Sequence, residues 1–423
     1  MVNKKALVQK YALHQGFHWS VIGIAIPVLV LIFQSRGLNL QEIGAVMAVW
    51  VGSTAALEVP LGGIADKYGR KKIYLLSLVV NILGCFILYI ASNSFFTILI
   101  AAFFLGTSRA IYSGTLDAWF YDTFHTAKGH FTYHKAISIV NVVVTIGLAI
   151  GSLLGGWLPD YAVSTSMKLN SIYDLNLIIM CLANIVLFLV SLVLISDDKA
   201  EYHNSPQHKY NEIIRHSIQA IQAIQAIQES FSHIILKRIM QTTLVFGFVL
   251  SSVETFWQPY LSELVSNNTY GVSIFGVISA LYFLMASASS LLSVQLLHLL
   301  NDSHRKLMFF TRALSGVFFI ALALSNHVYS FTVFYLLFFF LFTAGNNSEM
   351  VLLNDNTREE QRSTMLSISS TIVTIGSVLA SLVLGYVSQQ YGIQLNWTFC
   401  GFLLISTSVL FLLIPDEEVE ATV

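Results

Sequence analysis

Five ionisable residues interrupt long apolar stretches of this sequence and are its strongest candidates for chemistry. A charge that lies far from water is costly, so such residues usually bind a substrate, carry protons or pair with one another. The three carboxylates and two cations of this set are Glu58, Arg109, Glu254, Arg312 and Glu349. Proton transfer, substrate binding and buried ion pairing are therefore the chemistries that the sequence offers.

Glu254 lies near the centre of an apolar stretch, and Trp257 follows three residues later. A low dielectric disfavours a charged carboxylate, so Glu254 could exchange a proton near neutral pH. We predict that Glu254 carries a coupling proton or contacts a substrate. The alternative is a structural partner for a buried arginine or a backbone group. Trp257 is predicted to line a cavity.

Arg109 and Glu349 are further candidates for substrate binding or coupling. Arg109 could position a substrate anion or tune a carboxylate, and a purely structural pairing is equally open. Glu349 follows Asn346 and Asn347 on a phenylalanine-rich stretch, which predicts a polar patch that lines a cavity. Arg312 is instead expected to extend its charged end to the nearby aqueous interface.

Histidine and tryptophan side chains extend the set of candidates. His14 and His18 lie four residues apart, so they share one helix face. Two imidazoles do not complete a zinc site, and we predict no metal. His18 is a candidate for the cavity wall, with interfacial packing as the alternative. Trp119, like Trp50 and Trp257, could face an apolar or cationic ligand.

The elements that carry these residues are predicted to be membrane helices. Of the 423 residues 55% are hydrophobic and only 11% are charged, against about 25% charged in soluble proteins. A net charge of −1 indicates no nucleic-acid partner. A spanning helix needs about 20 apolar residues. The sequence predicts twelve such spans, at 11–33, 42–64, 73–91, 95–120, 136–158, 172–195, 238–260, 272–299, 307–324, 329–353, 364–388 and 396–414.

No pattern indicates an enzyme or a cofactor site. A phosphate-binding Gly-x-x-x-x-Gly-Lys loop is missing, which argues against an ATP-driven pump. The cysteines Cys85, Cys181 and Cys400 lie far apart and match neither a disulfide framework nor a metal site. We therefore predict no cofactor and no catalysis.

The basic residues predict the orientation in the membrane. The sequence contains 22 Lys and Arg residues. With the N-terminus in the cytosol, Arg36 and Lys168 fall outside the membrane on the far side, and Arg109 and Arg312 fall within spans. The other Lys and Arg residues are then cytosolic. Cytosolic loops carry an excess of such residues. Both termini are therefore predicted to be cytosolic, in what we expect to be a bacterial plasma membrane.

The two halves of the sequence repeat one another. Pro27 matches Pro259 and Gly44 matches Gly276 at an offset of 232 residues, and Asp122 matches Asp355 at an offset of 233. Transporter folds often contain such weak repeats. We predict two six-helix halves, 1–195 and 236–423. The linker 196–235 contains isoleucines every three or four residues, which predicts an amphipathic helix on the cytosolic surface, with a regulatory helix as the alternative.

The loop after the second span carries a distinctive motif that begins at Gly62 and runs Gly-Gly-Ile-Ala-Asp-Lys-Tyr-Gly-Arg-Lys-Lys. Gly62 and Gly69 allow close approach and a tight turn. Asp66 can accept hydrogen bonds at a helix N-terminus, and Arg70 can pair with a carboxylate on a neighbouring helix. Asp117 and Asp122 are the candidate partners of Arg70, and Glu58 is predicted to join this gating network.

This loop closely resembles the cytosolic signature of the major facilitator superfamily. The segments Glu58–Gly62 and Ser113–Asp122 are similar to the drug-efflux branch that includes macrolide and siderophore exporters. The fifth span resembles the antiporter signature, but Ser152 stands where that signature has proline. Arg109 also lies five residues before Gly114, where the family usually shows four. These departures leave the direction of transport open.

The resemblance implies a monomeric secondary transporter that works by alternating access between two halves. We expect proton-coupled export of a small amphipathic compound, drug-like or siderophore-like. Proton-coupled uptake of a small polar metabolite is the first alternative, and a transporter-like sensor without transport is the second.

Overall fold

A computed structural model of the chain describes residues 3–91, 94–195, 233–266 and 271–414, without the side chains at positions 59, 66 and 360. The sequence predicts a linker helix within 196–235, and residues 196–232 of this linker lie outside the described residues. The described residues form α-helices, one short 3-10 helix at Glu359–Gln361, and no strand. The helices are α1 Lys4–Ala25, α2 Leu29–Ser35, α3 Leu40–Tyr68, α4 Arg70–Ile90, α5 Phe95–Tyr112, α6 Thr115–Thr126, α7 Tyr133–Ser164, α8 Asp174–Leu194, α9 Ile234–Ser266, α10 Ser273–Leu299, α11 His304–Ala323, α12 Val328–Ala344, α13 Asn346–Asp355, α14 Arg362–Tyr391 and α15 Ile393–Leu412.

The predicted all-α fold with twelve spans is confirmed. Twelve segments of the described chain are long and apolar enough to cross a membrane, and each matches one predicted span. Several extend beyond the predicted limits, as the fifth does at Tyr133–Ser164. Hydropathy underestimated the lengths of these helices because the polar residues at their ends are also helical. The first, fourth and tenth spans each consist of two helices, separated at residues 26–28, at 113–114 and at Gly345.

The break in the first span has a local cause. Pro27 has no backbone N–H and disrupts regular helical hydrogen bonding. The side chain of Gln258, in α9, supplies partners for the disturbed backbone: it accepts a hydrogen bond from Val30 N at 2.7 Å and donates to the carbonyl oxygen of Ile26 at 2.5 Å. Gln258 itself is buried. One carboxamide therefore satisfies two backbone groups that the break exposes.

Close helix contacts repeat in the two halves of the sequence. A Cβ atom at Gly147 in α7 would overlap the carbonyl oxygen of Gly16 in α1, and one at Gly376 in α14 would overlap that of Leu244 in α9. Only glycine allows this approach. The matched pair of contacts supports the repeat that the sequence predicts.

The helices group into two compact units. Unit 1 comprises Met1–Glu201 and Thr255–Leu284, and unit 2 comprises Tyr202–Glu254 and Met285–Val423. The end of α9 and the beginning of α10 thus pack within unit 1. The carboxylate of Asp160 in α7 accepts hydrogen bonds from the backbone N–H groups of Val272 and Ser273 at 2.8 and 2.9 Å. These bonds connect the beginning of α10 to α7. The predicted division into halves 1–195 and 236–423 stays a prediction.

Candidate functional site

Unit 1 encloses a cavity of about 400 Å³ that is lined by residues of the first six spans. This volume lies within the range typical of small-molecule sites. Aromatic, aliphatic and polar side chains contribute to its wall, and Arg109 and Asp117 are its two fully charged lining residues. The cavity can therefore hold a small molecule that has both apolar and polar parts.

One face of α1 presents polar groups to the interior of unit 1. Tyr11, His14 and His18 follow one another at intervals of three and four residues, Gln15 adjoins His14, and all four are buried, as expected for one helix face. Tyr11 donates a hydrogen bond to Asp117 at 2.8 Å, and His14 Nε2 lies 2.8 Å from Ser191 Oγ. The face is held by contacts with α6 and α8.

His18 and Gln15 meet Tyr112 at the cavity wall. The rings of His18 and Tyr112 stack with centroids 4.2 Å apart, and His18 Nδ1 lies 3.1 Å from the hydroxyl of Tyr74. The hydroxyl of Tyr112 donates to Gln15 Oε1 at 2.9 Å. His18 Nε2 and Gln15 Nε2 are buried and form no hydrogen bond with the described residues. His18, a candidate from the sequence, thus lines the cavity.

Arg109 and Asp117 flank the break between α5 and α6. Arg109 is exposed toward the cavity and forms no ion pair with the described part of the chain. Asp117 lies in the first turn of α6, where the helix dipole favours an anion, and it accepts the hydrogen bond from Tyr11. The negative charge is therefore partly stabilised by protein groups, whereas the positive charge of Arg109 is not.

Unit 2 contains a second polar cluster, built on Arg312 and Glu349. The expectation that Arg312 reaches the aqueous interface was wrong: its side chain is only 4% exposed and pairs with Glu349 at 3.0 Å. Arg312 also donates to Asn346 Oδ1 at 3.1 Å and to the backbone oxygen of Phe342. A nearby carboxylate and two further acceptors hold the guanidinium inside the helices more strongly than the interface attracts it.

Aromatic and hydroxyl groups complete this cluster. The guanidinium carbon of Arg312 lies 4.4 and 4.7 Å from the ring centroids of Phe246 and Phe342, a favourable cation–π geometry. Thr243 donates to the second oxygen of Glu349 at 2.6 Å. Both carboxylate oxygens of Glu349 are thus engaged. Asn347 points elsewhere and donates to Ser293 Oγ at 3.3 Å.

The signature loop forms the expected ion pair. Arg70 Nη1 lies 2.6 Å from Asp122 Oδ2, so Asp122 rather than Asp117 is the partner. Gly69 separates α3 from α4 with a φ of 95°, which favours glycine. The side chain of Asp66 is not described. Glu58 is exposed and accepts a hydrogen bond from Ser113 across the helices.

Three further predicted residues, Glu254, Trp257 and Trp119, are not among the described residues that line the cavity. Glu254 has an exposed side chain, while its neighbours Val253 and Thr255 are buried. Trp257 is buried and packs beside Phe275 with ring centroids 5.9 Å apart. Trp119 belongs to the hydrophobic core of unit 1 and is not among the residues that line the cavity described above.

Sequence reasoning missed Gln15, Tyr11 and Tyr112 as site residues. The signal for Tyr11 and Gln15 was the spacing of polar residues on α1, which places both on the same face as His14 and His18. Tyr112 lies on α5 and had no such signal. It also missed a buried ion pair in unit 1, in which Arg36 Nη2 lies 2.6 Å from Asp174 Oδ1. Among the described residues no group of three potential ligands could hold a metal ion.

The fold and the cavity define an integral, multi-pass membrane protein that takes a small-molecule substrate. Residues 12–348 and 259–423 match the model of the Major Facilitator Superfamily, and the chain belongs to that superfamily of transporters.

Two curated relatives are similar in sequence. The "Uncharacterized MFS-type transporter YxaM" of Bacillus subtilis (strain 168) is 21% identical over 421 residues, which cover 93% of this chain and 92% of that protein. The quinolone resistance protein NorA of Staphylococcus aureus is 25% identical over 272 residues. That match spans 62% of this chain and 62% of NorA, less than two thirds of its length.

Solved structures show the same fold at low identity. The nucleoside transporter NupG has a TM-score of 0.75 at 14% identity, with 96% of this chain and 98% of that chain covered. A bacterial homolog of the human lysosomal transporter Spinster has a TM-score of 0.74 at 13% identity, covering 97% and 96%. The match to the superfamily model confirms the predicted superfamily.

Proposed function

We propose that this protein is a secondary active transporter that exports a small amphipathic compound in exchange for protons. The observation that carries this proposal is the cavity of unit 1, where the aromatic rings of His18 and Tyr112 adjoin the unpaired charge of Arg109. Such a wall suits a molecule with an apolar body and one polar end. The partial likeness to NorA, named for quinolone resistance, supports export.

The coupling proton is assigned here to Glu349. Protonation of this carboxylate would remove the charge that offsets Arg312, whose guanidinium is otherwise enclosed by the helices. An uncompensated buried charge is strongly unfavourable, so protonation would favour another arrangement of unit 2. Glu254, whose side chain is exposed, remains the second candidate.

The pair of Arg70 and Asp122 is proposed as a gate. Its two partners belong to α4 and α6, so its formation and rupture would accompany movement of these helices. Asp66, Gly62 and Gly69 would shape the loop that carries Arg70. Glu58 and Asp117 would extend the network through their hydrogen bonds with Ser113 and Tyr11.

The orientation and location also remain proposals. We propose a monomer in a bacterial plasma membrane with both termini in the cytosol. Cysteines replacing His130 and Lys168, which are exposed and lie in loops at opposite ends of α7, test the orientation. His130→Cys should resist an impermeant thiol reagent in intact cells, and Lys168→Cys should react. The reverse pattern would refute the proposed orientation.

The proposed function is tested in everted membrane vesicles across whose membrane a proton gradient is imposed. We expect a fluorescent amphipathic probe to accumulate with the gradient and each addition of probe to release protons. Vesicles without the protein and vesicles with a protonophore serve as controls. Probe movement in the opposite direction would indicate uptake instead. Binding without any movement would indicate a sensor and refute transport.

A further inference from the structure

The cavity wall of unit 1 contains two buried side-chain nitrogen atoms that have no hydrogen-bond partner among the described residues. Gln15 is 2% exposed and His18 is 7% exposed, and the Nε2 atoms of both lack a hydrogen-bond partner among the described residues. Buried polar groups in native proteins are nearly always satisfied. Both residues line the cavity, so a molecule that occupies it can supply the missing partner.

Tyr112 brings these groups together. Its hydroxyl donates to Gln15 Oε1, which orients the carboxamide of Gln15 at the cavity wall. Its ring stacks on His18 with an interplanar angle of 21°. Arg109 precedes Tyr112 by three residues on α5 and lies within electrostatic reach of its phenol. One aromatic platform is therefore bordered by an amide donor and a guanidinium.

The charges of the cavity favour an anion. Asp117 is the acidic residue of the wall, and it is already stabilised by the hydrogen bond from Tyr11 and by its place in the first turn of α6. Arg109 has no carboxylate within ion-pairing distance among the described residues. A guanidinium matches the planar geometry of a carboxylate and can donate two parallel hydrogen bonds to it.

We propose that the cavity binds a planar aromatic carboxylate, with its carboxylate on Arg109 and Gln15 and its ring beside the stacked His18 and Tyr112. This inference rests on the proposed function and names the substrate class of that transporter. It departs from an apolar or cationic ligand, which the tryptophans of the sequence predicted, because the wall offers the amide nitrogen of Gln15 and the guanidinium of Arg109.

The test uses three probes of nearly equal size: naphthoate, its methyl ester and naphthylmethylamine. Their equilibrium binding to the purified full-length protein in lipid nanodiscs is measured at neutral pH. We expect naphthoate to bind at least tenfold more tightly than the ester or the amine, because only naphthoate forms the charge-assisted bonds.

Substitutions separate the charge of the wall from its shape. Arg109→Gln should weaken naphthoate binding by about tenfold or more, and Arg109→Lys should restore part of the loss. Gln15→Glu retains the acceptor for Tyr112 but replaces the free donor with an anion, so it should weaken naphthoate and strengthen the amine. Lys10→Gln is the matched control, since Lys10 is exposed on the same helix outside the cavity; binding should stay within about twofold.

Two readouts separate this proposal from the proposed function. Preference for the amine, equal binding of naphthoate and its ester, or full naphthoate binding by Arg109→Gln would overturn the aromatic carboxylate. If Gln15→Glu does not fold, the two Arg109 variants decide. Arg109-dependent naphthoate binding without gradient-driven movement would uphold the site and refute proton-coupled export. Gradient-driven export of another probe without naphthoate binding would uphold proton-coupled export and refute the aromatic carboxylate site.

Discussion

Arg109 and Arg312 both interrupt apolar spans, but the two units of the protein surround them differently. In unit 2 a carboxylate, a carboxamide, a backbone oxygen and two rings enclose Arg312. In unit 1 Arg109 is exposed at a cavity and forms no ion pair with the described residues. A satisfied charge can respond to protonation of its partner, whereas an unsatisfied one can attract a ligand. We therefore propose coupling for unit 2 and binding for unit 1.

The largest expected effect concerns coupling. Glu349→Gln removes the negative charge beside Arg312 and fixes the neutral state of the side chain, so proton release evoked by substrate should be abolished while substrate binding remains. Substrate-evoked proton flux in proteoliposomes measures this, and Glu254→Gln is the parallel variant, expected to retain the flux. If Glu349→Gln keeps the wild-type stoichiometry and Glu254→Gln loses it, the coupling proton belongs to Glu254.

The next largest effect concerns stability. Arg312→Met leaves Glu349 as an unpaired carboxylate among the helices of unit 2, which should lower the free energy of unfolding by about 3–5 kcal/mol. Combining Arg312→Met with Glu349→Leu should recover much of that loss, because an apolar replacement of both partners is often neutral. Unfolding in detergent micelles, followed by tryptophan fluorescence, compares the variants. No recovery in the double variant would mean that the cluster stabilises the unit by other contacts.

Hydropathy predicted the number and order of the spans because a helix that crosses a bilayer needs an apolar stretch of fixed length. It could not predict the environment of Arg312, because lipid and protein interior are both apolar and do not reveal which way a side chain faces. The pairing of Arg70 with a carboxylate was foreseeable from its motif. The groups around Tyr112 come from three distant segments, and a single sequence does not indicate that they meet.

A smaller effect is expected at the ion pair of the signature loop. The carboxylate of Asp122 is 57% exposed, so Arg70→Ala should change the free energy of unfolding by less than about 1 kcal/mol. The transport rate should nevertheless fall severely if the pair acts as a gate. The charge exchange Arg70→Asp with Asp122→Arg should restore part of the rate. Wild-type transport by Arg70→Ala would show that the loop determines only topology.

The smallest expected effect is the change in stability on replacing Arg109, and it tests the comparison most directly. Arg109→Met makes the same chemical change as Arg312→Met, but no described carboxylate loses a partner. Substitutions at exposed sites without such a partner usually change the free energy of unfolding by no more than about 0.5 kcal/mol. The same unfolding measurement that finds a large loss for Arg312→Met should therefore find almost none for Arg109→Met. A slight gain is compatible with the argument, since the variant removes a charge that has no ion pair among the described residues. A loss comparable to that of Arg312→Met would mean that Arg109 has a structural partner in the folded protein, and the contrast between a binding unit and a coupling unit would then be lost.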